Sequence, residues 1–295
     1  MNYSLVNCFV VAVIWLALSA FTFSPSQIDP NQIVSGGPPK DGIPALTNPS
    51  VETAKLAGRW LNGGDQILGI VINSKARAYP IRILNWHEIV NDQIGKELLV
   101  VTYCPLCGSG MAFKTEDQFG VSGLLYQSDV LLYDRKSESL WSQLMMQAVT
   151  GPRAGEKLSQ ITVEHTSWNK WREQHPDTTV LSRNTGYRRD YARNPYSGYE
   201  SVSGTYFPIN HHDTRLPSKS WVVGLSIGKF HKAWSLEFLM NRGSHEELWR
   251  GHQLNIEVEG EGVRIRDGKT GKQLPITRLY WFAWATFHPD TELEK

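Results

Sequence analysis

The sequence GDQILGIVINSKARAYPI, residues 64–81, decides the fold that we predict. It has the pattern of a strand, a short polar turn and a second strand. A related sequence, KSWVVGLSIGKFHKAWSL, occupies residues 219–236 with the same order of strand, turn and strand. The chain therefore contains a duplicated hairpin, and an internal repeat constrains the architecture more strongly than any single motif.

A second repeated motif follows each hairpin further along the chain. The pattern W-x-x-W-x-x-x-H-P-D-T occurs at residues 168–178 and again at residues 281–291. Two tryptophans three positions apart indicate a short amphipathic helix, which ends before the proline. We therefore predict a β-rich α+β fold with two unequal pseudo-repeated halves, each with a β-hairpin, a strand and a short Trp-rich helix.

These repeats and the composition of the remaining chain define a domain organisation. The predicted parts are a signal peptide or N-terminal anchor (1–23), an irregular Gly/Pro-rich arm (24–64), a first repeat with the cysteine site (65–185), a connection (186–219) and a second repeat without cysteines (220–295).

The N-terminal segment predicts export. Residues 8–23 form an apolar stretch that is shorter than the roughly 20 residues that span a bilayer, which is typical of a signal-peptide core. No Lys or Arg precedes Lys40, however, so the usual basic flank is missing. We expect a periplasmic or extracellular protein, with membrane attachment through residues 8–23 as the alternative.

The charge balance argues against a nucleic-acid partner. Charged residues make up 20% of the chain and the formal net charge is +1. This composition is that of an ordinary globular protein, and it provides no electrostatic attraction for a polyanion.

The principal candidate site is the C-x-x-C pair Cys104 and Cys107. The third cysteine, Cys8, lies in the predicted signal segment, so the mature chain would carry one thiol pair only. Residues 254–257 of the second repeat correspond to the strand that precedes the pair, but no cysteine follows them. If both halves fold alike, the fold does not need the thiols. They can cycle between dithiol and disulfide, hold a soft metal ion or close a structural ring.

The sequence around the pair ranks these three roles. Gly108 and Gly110 disfavour a helix, so we predict a tight turn at a strand end. Closing a ring this small stabilises the fold by only roughly 2 kcal/mol in the chain-entropy model. A purely structural disulfide is therefore the weakest of the three interpretations. We predict thiol–disulfide redox activity, with one cysteine as nucleophile, the other as resolving thiol and His87 as acid–base or thiolate-stabilising partner.

Other polar residues near the pair complete the predicted site. Ser109 and Asp134 are assigned to the same pocket. Asp129 and Arg135 are further candidates, with a surface Asp–Arg turn pair as an equal alternative. The dithiol–disulfide cycle would also need a redox partner or a small-molecule substrate.

Two further functions stay open at this stage. The chain has no second C-x-x-C pair, so a copper or zinc site would need His87 or Met111 in addition to Cys104 and Cys107. A non-catalytic scaffold or carbohydrate-binding module, based on the Trp-rich repeats, would leave the cysteines dispensable.

Several longer motifs resemble those of the bacterial and archaeal family called domain of unknown function 3179. They are SGGPPKDGIPAL (35–46), AYP (78–80), NWHEIVND (85–92), TYCPLCGS (102–109), FGVSG (119–123), YDR (133–135) and SLWSQ (139–143). The resemblance implies export. It also implies redox chemistry, because some members of the family are described as carrying selenocysteine in the C-x-x-C motif.

Overall fold

The structure is a computed structural model and describes residues 21–295. Cys8 and nearly all of the predicted signal or anchor segment, residues 1–23, lie outside the described residues. Among residues 21–295, no helix has both the length and the apolar character needed to cross a membrane.

The predicted α+β class is wrong, because the protein is mostly β. Strands account for 42% of residues 21–295 and helices for 14%, and five small sheets are arranged as a five-bladed β-propeller. The longest α-helices in residues 21–295 have only seven residues. Helices of this length are marginal alone and depend on packing against strands. The predicted hairpins are not separate hairpin–helix units, since additional strands extend each of them into a sheet.

The first half of the chain begins with a short 3-10 helix (Pro30–Gln32) and contains three α-helices. Its strands are β1 (Ile33–Ser35), β2 (Leu46–Thr47), β3 (Val51–Thr53), β4 (Gln66–Ile72), β5 (Lys75–Pro80), β6 (Ile89–Ile94), β7 (Glu97–Cys104), β8 (Ser109–Lys114), β9 (Phe119–Tyr126), β10 (Asp129–Asp134), β11 (Leu140–Ser142), β12 (Gln147–Thr150), β13 (Ser159–Ile161), β14 (Glu164–Ser167) and β15 (Thr179–Leu181). The helices are α1 (Ala54–Ala57), α2 (Ile81–His87) and α3 (Trp168–Gln174).

The second half follows a long connection, residues 186–219, in which the regular structure is one 3-10 helix (Tyr199–Ser201). Its strands are β16 (Trp221–Ile227), β17 (Phe230–Ser235), β18 (His245–Trp249), β19 (His252–Glu259), β20 (Gly262–Asp267), β21 (Ile276–Tyr280) and β22 (Glu292–Glu294). The helices are α4 (Leu236–Arg242) and α5 (Trp281–Phe287).

Hydrogen bonds join the strands into five sheets, which we number 1 to 5. Their strand orders are β1-β9-β10-β11-β12 (sheet 1), β13-β8-β7-β6-β2 (sheet 2), β14-β4-β5-β15-β3 (sheet 3), β21-β16-β17-β22 (sheet 4) and β18-β19-β20 (sheet 5). The two related hairpins, β4-β5 and β16-β17, lie inside sheets 3 and 4. Each has an antiparallel neighbour on one side and a parallel neighbour on the other.

The repeated tryptophans explain a glycine in the first strand of each hairpin. A Cβ on Gly69 would lie 2.3 Å from the ring of Trp171, and a Cβ on Gly224 would lie 2.3 Å from the ring of Trp284. Each indole N–H also donates to the threonine that ends its own His-Pro-Asp-Thr sequence, at 2.9 and 2.8 Å. The motif therefore seals one face of its sheet, because only glycine lets the ring approach the backbone so closely.

The thiol turn lies where three sheets meet. Strands β7 and β8 of sheet 2 carry the turn, β6 of that sheet packs beside β9 of sheet 1, and β8 packs against β21 of sheet 4. One apolar cluster contains both cysteines together with Phe119 and Trp141 of the first half and Leu279 of the second. Both halves of the chain therefore enclose the site.

Candidate functional site

The two cysteines lie in a tight turn between two antiparallel strands. Cys104 ends β7 and faces Ser109, the first residue of β8. The Cys107 N–H donates to the Cys104 carbonyl at 3.2 Å, and Gly108 closes the turn with a φ of +66°. The Cys107 carbonyl accepts the N–H of Tyr280 at 2.8 Å, which joins the turn to the second half.

Both thiols are free and almost fully buried beside a carboxylate. Cys104 is 1% exposed, while Cys107 and Asp129 are 0% exposed. The two sulfurs and one Asp129 oxygen all lie within 4.8 Å of one another. Asp129 begins β10, so sheet 1 provides the carboxyl group of the cluster.

Cys107 is held as a neutral thiol. Its S–H can donate to the Ser128 carbonyl at 3.4 Å or to Asp129 Oδ1 at 3.7 Å. Burial raises the pKa of Cys107 well above its ordinary value, and the neighbouring Cys104 and Asp129 raise it further. A thiol in this environment needs a proton acceptor before it can react, since the thiolate is the nucleophile.

Asp129 can be that acceptor. Its Oδ2 accepts the Leu144 N–H at 3.1 Å and the Ser142 hydroxyl at 3.3 Å. Burial nevertheless raises the pKa of Asp129 to about 7, although these hydrogen bonds favour the ionised form. A carboxyl group poised near neutrality has the ordinary property of a general base.

A series of buried side-chain hydrogen bonds supports the turn. The Ser109 hydroxyl donates to Gln143 Oε1 at 2.5 Å, and Gln143 Nε2 donates to Thr102 Oγ1 at 2.8 Å. The Thr102 hydroxyl in turn donates to the Met111 carbonyl at 3.2 Å. Ser109 is thus engaged in positioning the turn, while Met111 packs in the same apolar cluster as both cysteines.

His87 has both ring nitrogens engaged away from the sulfurs. At the end of α2, Nδ1 lies 2.8 Å from the Pro44 carbonyl and Nε2 lies 2.7 Å from the Tyr191 hydroxyl. Burial lowers the pKa of His87. His87 is not part of the cluster that the two sulfurs form with Asp129. The ring instead joins the N-terminal arm to the connection.

Asp134 lies at the opposite end of β10 from Asp129. Its carboxylate accepts the Ser137 N–H at 2.6 Å and the Trp141 indole N–H at 3.0 Å. Burial acts to raise the pKa of Asp134, but these donors outweigh it and hold the pKa below its ordinary value. The next residue, Arg135, approaches Asp41 at 3.6 Å.

The connection, residues 186–219, covers the thiol turn. Tyr196 and Phe207 of this segment pack on the apolar cluster that contains the cysteines. The Tyr196 hydroxyl donates to Glu88 Oε1 at 2.9 Å, and the Ser128 hydroxyl donates to the Phe207 carbonyl at 2.7 Å. Because both sulfurs are almost fully buried, a segment of the protein must move before a reactant reaches them.

Sequence reasoning did not identify Glu88 and Tyr196. Burial raises the pKa of Glu88 to about 7, although its hydrogen bond from Tyr196 opposes that shift. The Glu88 carbonyl also accepts the N–H of Tyr103, the residue before Cys104, at 2.7 Å. The available signal was its position directly after His87 in the NWHEIVND motif.

The sequence comparison identifies the family. Residues 40–270 match the family described as Protein of unknown function (DUF3179). This confirms the resemblance, and the chain belongs to that family. Neither a curated protein nor a solved structure matches the sequence.

Proposed function

We propose that this is an exported thiol–disulfide redox protein in which Cys104 and Cys107 alternate between dithiol and disulfide. The observation that carries the proposal is the buried contact between Cys107 Sγ and Asp129 Oδ1, at 3.7 Å. It pairs a thiol that is kept protonated with a carboxyl group that titrates near neutral pH. Dithiol oxidation removes one proton from each sulfur, and Asp129 can accept the proton of Cys107.

The residues divide the reaction into two steps. Cys104 loses its proton and attacks a partner disulfide as the thiolate. The mixed disulfide forms, and the expelled partner thiolate takes up that proton and leaves as a thiol. Cys107 then passes its proton to Asp129 and attacks Cys104 Sγ, so that the intramolecular disulfide forms and the second partner thiol leaves. The protein dithiol loses two electrons and two protons, and the partner disulfide gains them.

The partner is a protein or small molecule that carries a disulfide. Export, if it occurs through residues 8–23, would bring the chain into a compartment where disulfides persist. The formal net charge of +1 gives no reason to expect nucleic acid.

The test is reversible oxidation in a thiol–disulfide buffer, followed by alkylation and intact mass. We expect the reduced full chain to accept three alkyl groups after unfolding and the oxidised chain to accept one, at Cys8, with an equilibrium that follows the buffer potential. Cys104→Ser and Cys107→Ser should each abolish the intramolecular disulfide. Both variants should keep the wild-type circular dichroism, since the second half has no counterpart of the thiols. A folded protein whose thiols stay reduced in strongly oxidising buffer would overturn the proposal.

A second candidate function is metal binding at the same sulfurs. The two thiols and Asp129 form a three-ligand group with the donor atoms that zinc accepts. Copper(I) would favour Met111 as an additional sulfur ligand, because that residue belongs to the same apolar cluster as the cysteines. His87 would have to leave Pro44 and Tyr191 to take part.

Metal analysis separates the two functions. One equivalent of zinc or copper that survives dialysis and protects both thiols from alkylation would place the metal site first. Asp129→Asn should then weaken zinc binding, and Met111→Leu should weaken copper(I) binding. A non-catalytic binding role would instead leave every function intact in the variant that lacks both cysteines.

A further inference from the structure

A polar groove lies between the N-terminal arm and the beginning of the connection. Its volume is about 660 Å³, and residues of both segments line it, with Gln118 and Arg135 from the first half between them. This groove is separate from the thiol cluster, since neither cysteine lines it. A volume of this size accommodates a small ligand.

The groove presents hydrogen-bonding groups that are not used within the protein. Asn48, Gln118 and Asn184 line it and are exposed. In the described part of the chain, none of these three amide side chains takes part in a hydrogen bond. Each amide offers both donors and an acceptor, which suits a ligand rich in hydroxyl groups.

One cation and one aromatic ring complete the lining. The Arg135 side chain is 40% exposed, and its nearest carboxylate, Asp41, lies at 3.6 Å rather than at hydrogen-bond distance. Tyr187 is 46% exposed. A guanidinium recognises a carboxylate through paired hydrogen bonds, and an exposed tyrosine ring offers a flat surface on which a sugar ring can stack.

The segment beyond the groove is strongly basic. Arg183, Arg188, Arg189 and Arg193 are exposed, and none of them forms an ion pair within residues 21–295. Asp190 is the single acidic residue among residues 183–193. These cations attract a ligand with repeated negative charge toward the groove.

His87 holds the two walls of the groove together. Its Nδ1 contacts the Pro44 carbonyl of the arm, and its Nε2 contacts the Tyr191 hydroxyl of the connection. The ring of Tyr187 also packs on His87, with centroids 5.5 Å apart. These contacts join the two segments that line the groove, and such preorganisation reduces the entropic cost of binding.

We propose that this groove binds an acidic oligosaccharide. Arg135 would bind a carboxylate, the three amides would bind hydroxyl groups, and Tyr187 would stack on a sugar ring. The exposed side chains that line the groove are polar apart from that ring, which favours a saccharide over an acidic peptide with apolar side chains.

Calorimetric titration with a short oligogalacturonate tests this inference on the full chain. We expect saturable binding, no binding of a neutral cello-oligosaccharide, and weaker binding of poly-glutamate. Arg135→Gln should weaken oligogalacturonate binding by about tenfold, because a charge-assisted pair is lost. Tyr187→Ala should weaken it to a similar extent. Arg242→Gln, which removes an exposed arginine of α4, should leave it unchanged.

The thermal unfolding midpoint of each variant shows whether that variant is folded. If Arg135→Gln does not fold, Tyr187→Ala provides a second variant for the test. Absent oligogalacturonate binding, equal affinity for the neutral sugar, tighter binding of poly-glutamate, or an Arg242→Gln effect equal to that of Arg135→Gln would each overturn the inference. None of these outcomes depends on the thiols, so the redox proposal is tested separately.

Discussion

Trp221 packs directly against Gly108, so the first residue of the second hairpin closes the turn that carries the thiols. A Cβ on Gly108 would lie 2.5 Å from the ring of Trp221. The same ring contacts Tyr280, with centroids 4.4 Å apart, and the Tyr280 N–H donates to the Cys107 carbonyl. The second half, which has no cysteine of its own, therefore fixes the geometry of the cysteine turn.

Gly108→Ala should destabilise the protein strongly. The new methyl group would meet the Trp221 ring, and the φ of +66° is unfavourable for any residue with a Cβ. Together these effects should lower the free energy of unfolding by about 3 kcal/mol, as measured by urea unfolding.

Gly260→Ala is the matched control for the backbone effect alone. Gly260 has a φ of +62°, but a Cβ there would meet nothing within 4 Å. Its expected cost is about 1 kcal/mol. Equal losses in the two variants would contradict the role of Trp221 in fixing the turn.

Stability should fall as pH rises from about 4 to about 7, in part because of Asp129. Burial raises the pKa of Asp129 from 3.8 to about 7, so in this interval the folded state binds a proton that the unfolded state has released. The contribution is complete below the unfolded pKa and is lost as pH rises through the folded pKa, a change on the order of 4 kcal/mol at most.

Asp129→Asn should remove that share of the pH dependence. We expect the urea-unfolding free energies of the variant to differ less between about pH 5 and about pH 7.5 than those of the wild type. Asp267→Asn is the control, because hydrogen bonds from Thr270 lower the pKa of Asp267 and its contribution has the opposite sign. An unchanged pH dependence in Asp129→Asn would show that Asp129 is ionised throughout.

The sequence predicted the features that depend on short-range patterns. The turn at Gly108 follows from local glycine and proline preferences, and the hairpins follow from alternating apolar residues. The fold-class prediction failed because the short strands of the arm find their partners at long range. No local pattern shows that β1 pairs with β9 or that β3 pairs with β15.

The site was harder to predict because it depends on which end of a strand faces the turn. Asp129 and Asp134 begin and end the same strand, β10, and have similar sequence surroundings. The packing of sheet 1 beside sheet 2 brings Asp129 to Cys107 and leaves Asp134 to bind Trp141. The position of His87 was equally hard to predict. Helix α2 ends at His87 because Glu88 has a positive φ, and the fold rather than the local sequence sets that angle.

Disulfide formation should depend on pH through Asp129. Below about pH 7 the carboxyl is protonated and cannot accept the Cys107 proton, so the rate of intramolecular oxidation should rise through this pH. Asp129→Asn should remove the rise and slow oxidation at neutral pH by about a hundredfold, a loss typical of a missing general base. Stopped-flow tryptophan fluorescence or quenched alkylation measures the rate.

Asp134→Asn provides the comparison on the same strand. Asp134 is also buried, but it binds Ser137 and Trp141 rather than a thiol. If the folded Asp134→Asn variant slows oxidation as much as Asp129→Asn does, the effect belongs to the strand rather than to the carboxylate beside Cys107.

Loosening the cover should expose the thiols. Tyr196→Phe removes the hydroxyl that donates to Glu88 at 2.9 Å and leaves a buried carboxyl group without this partner. The loss of one such hydrogen bond, on the order of 1 to 2 kcal/mol, should raise the population of the open connection and the rate of thiol alkylation about tenfold.

Tyr206→Phe is the control, because Tyr206 belongs to the same segment, is 59% exposed and packs its ring on Tyr199. Alkylation in native buffer, followed by intact mass, measures both variants. Equal rates for Tyr196→Phe and wild type would mean that reactants reach Cys104 and Cys107 without movement of the connection.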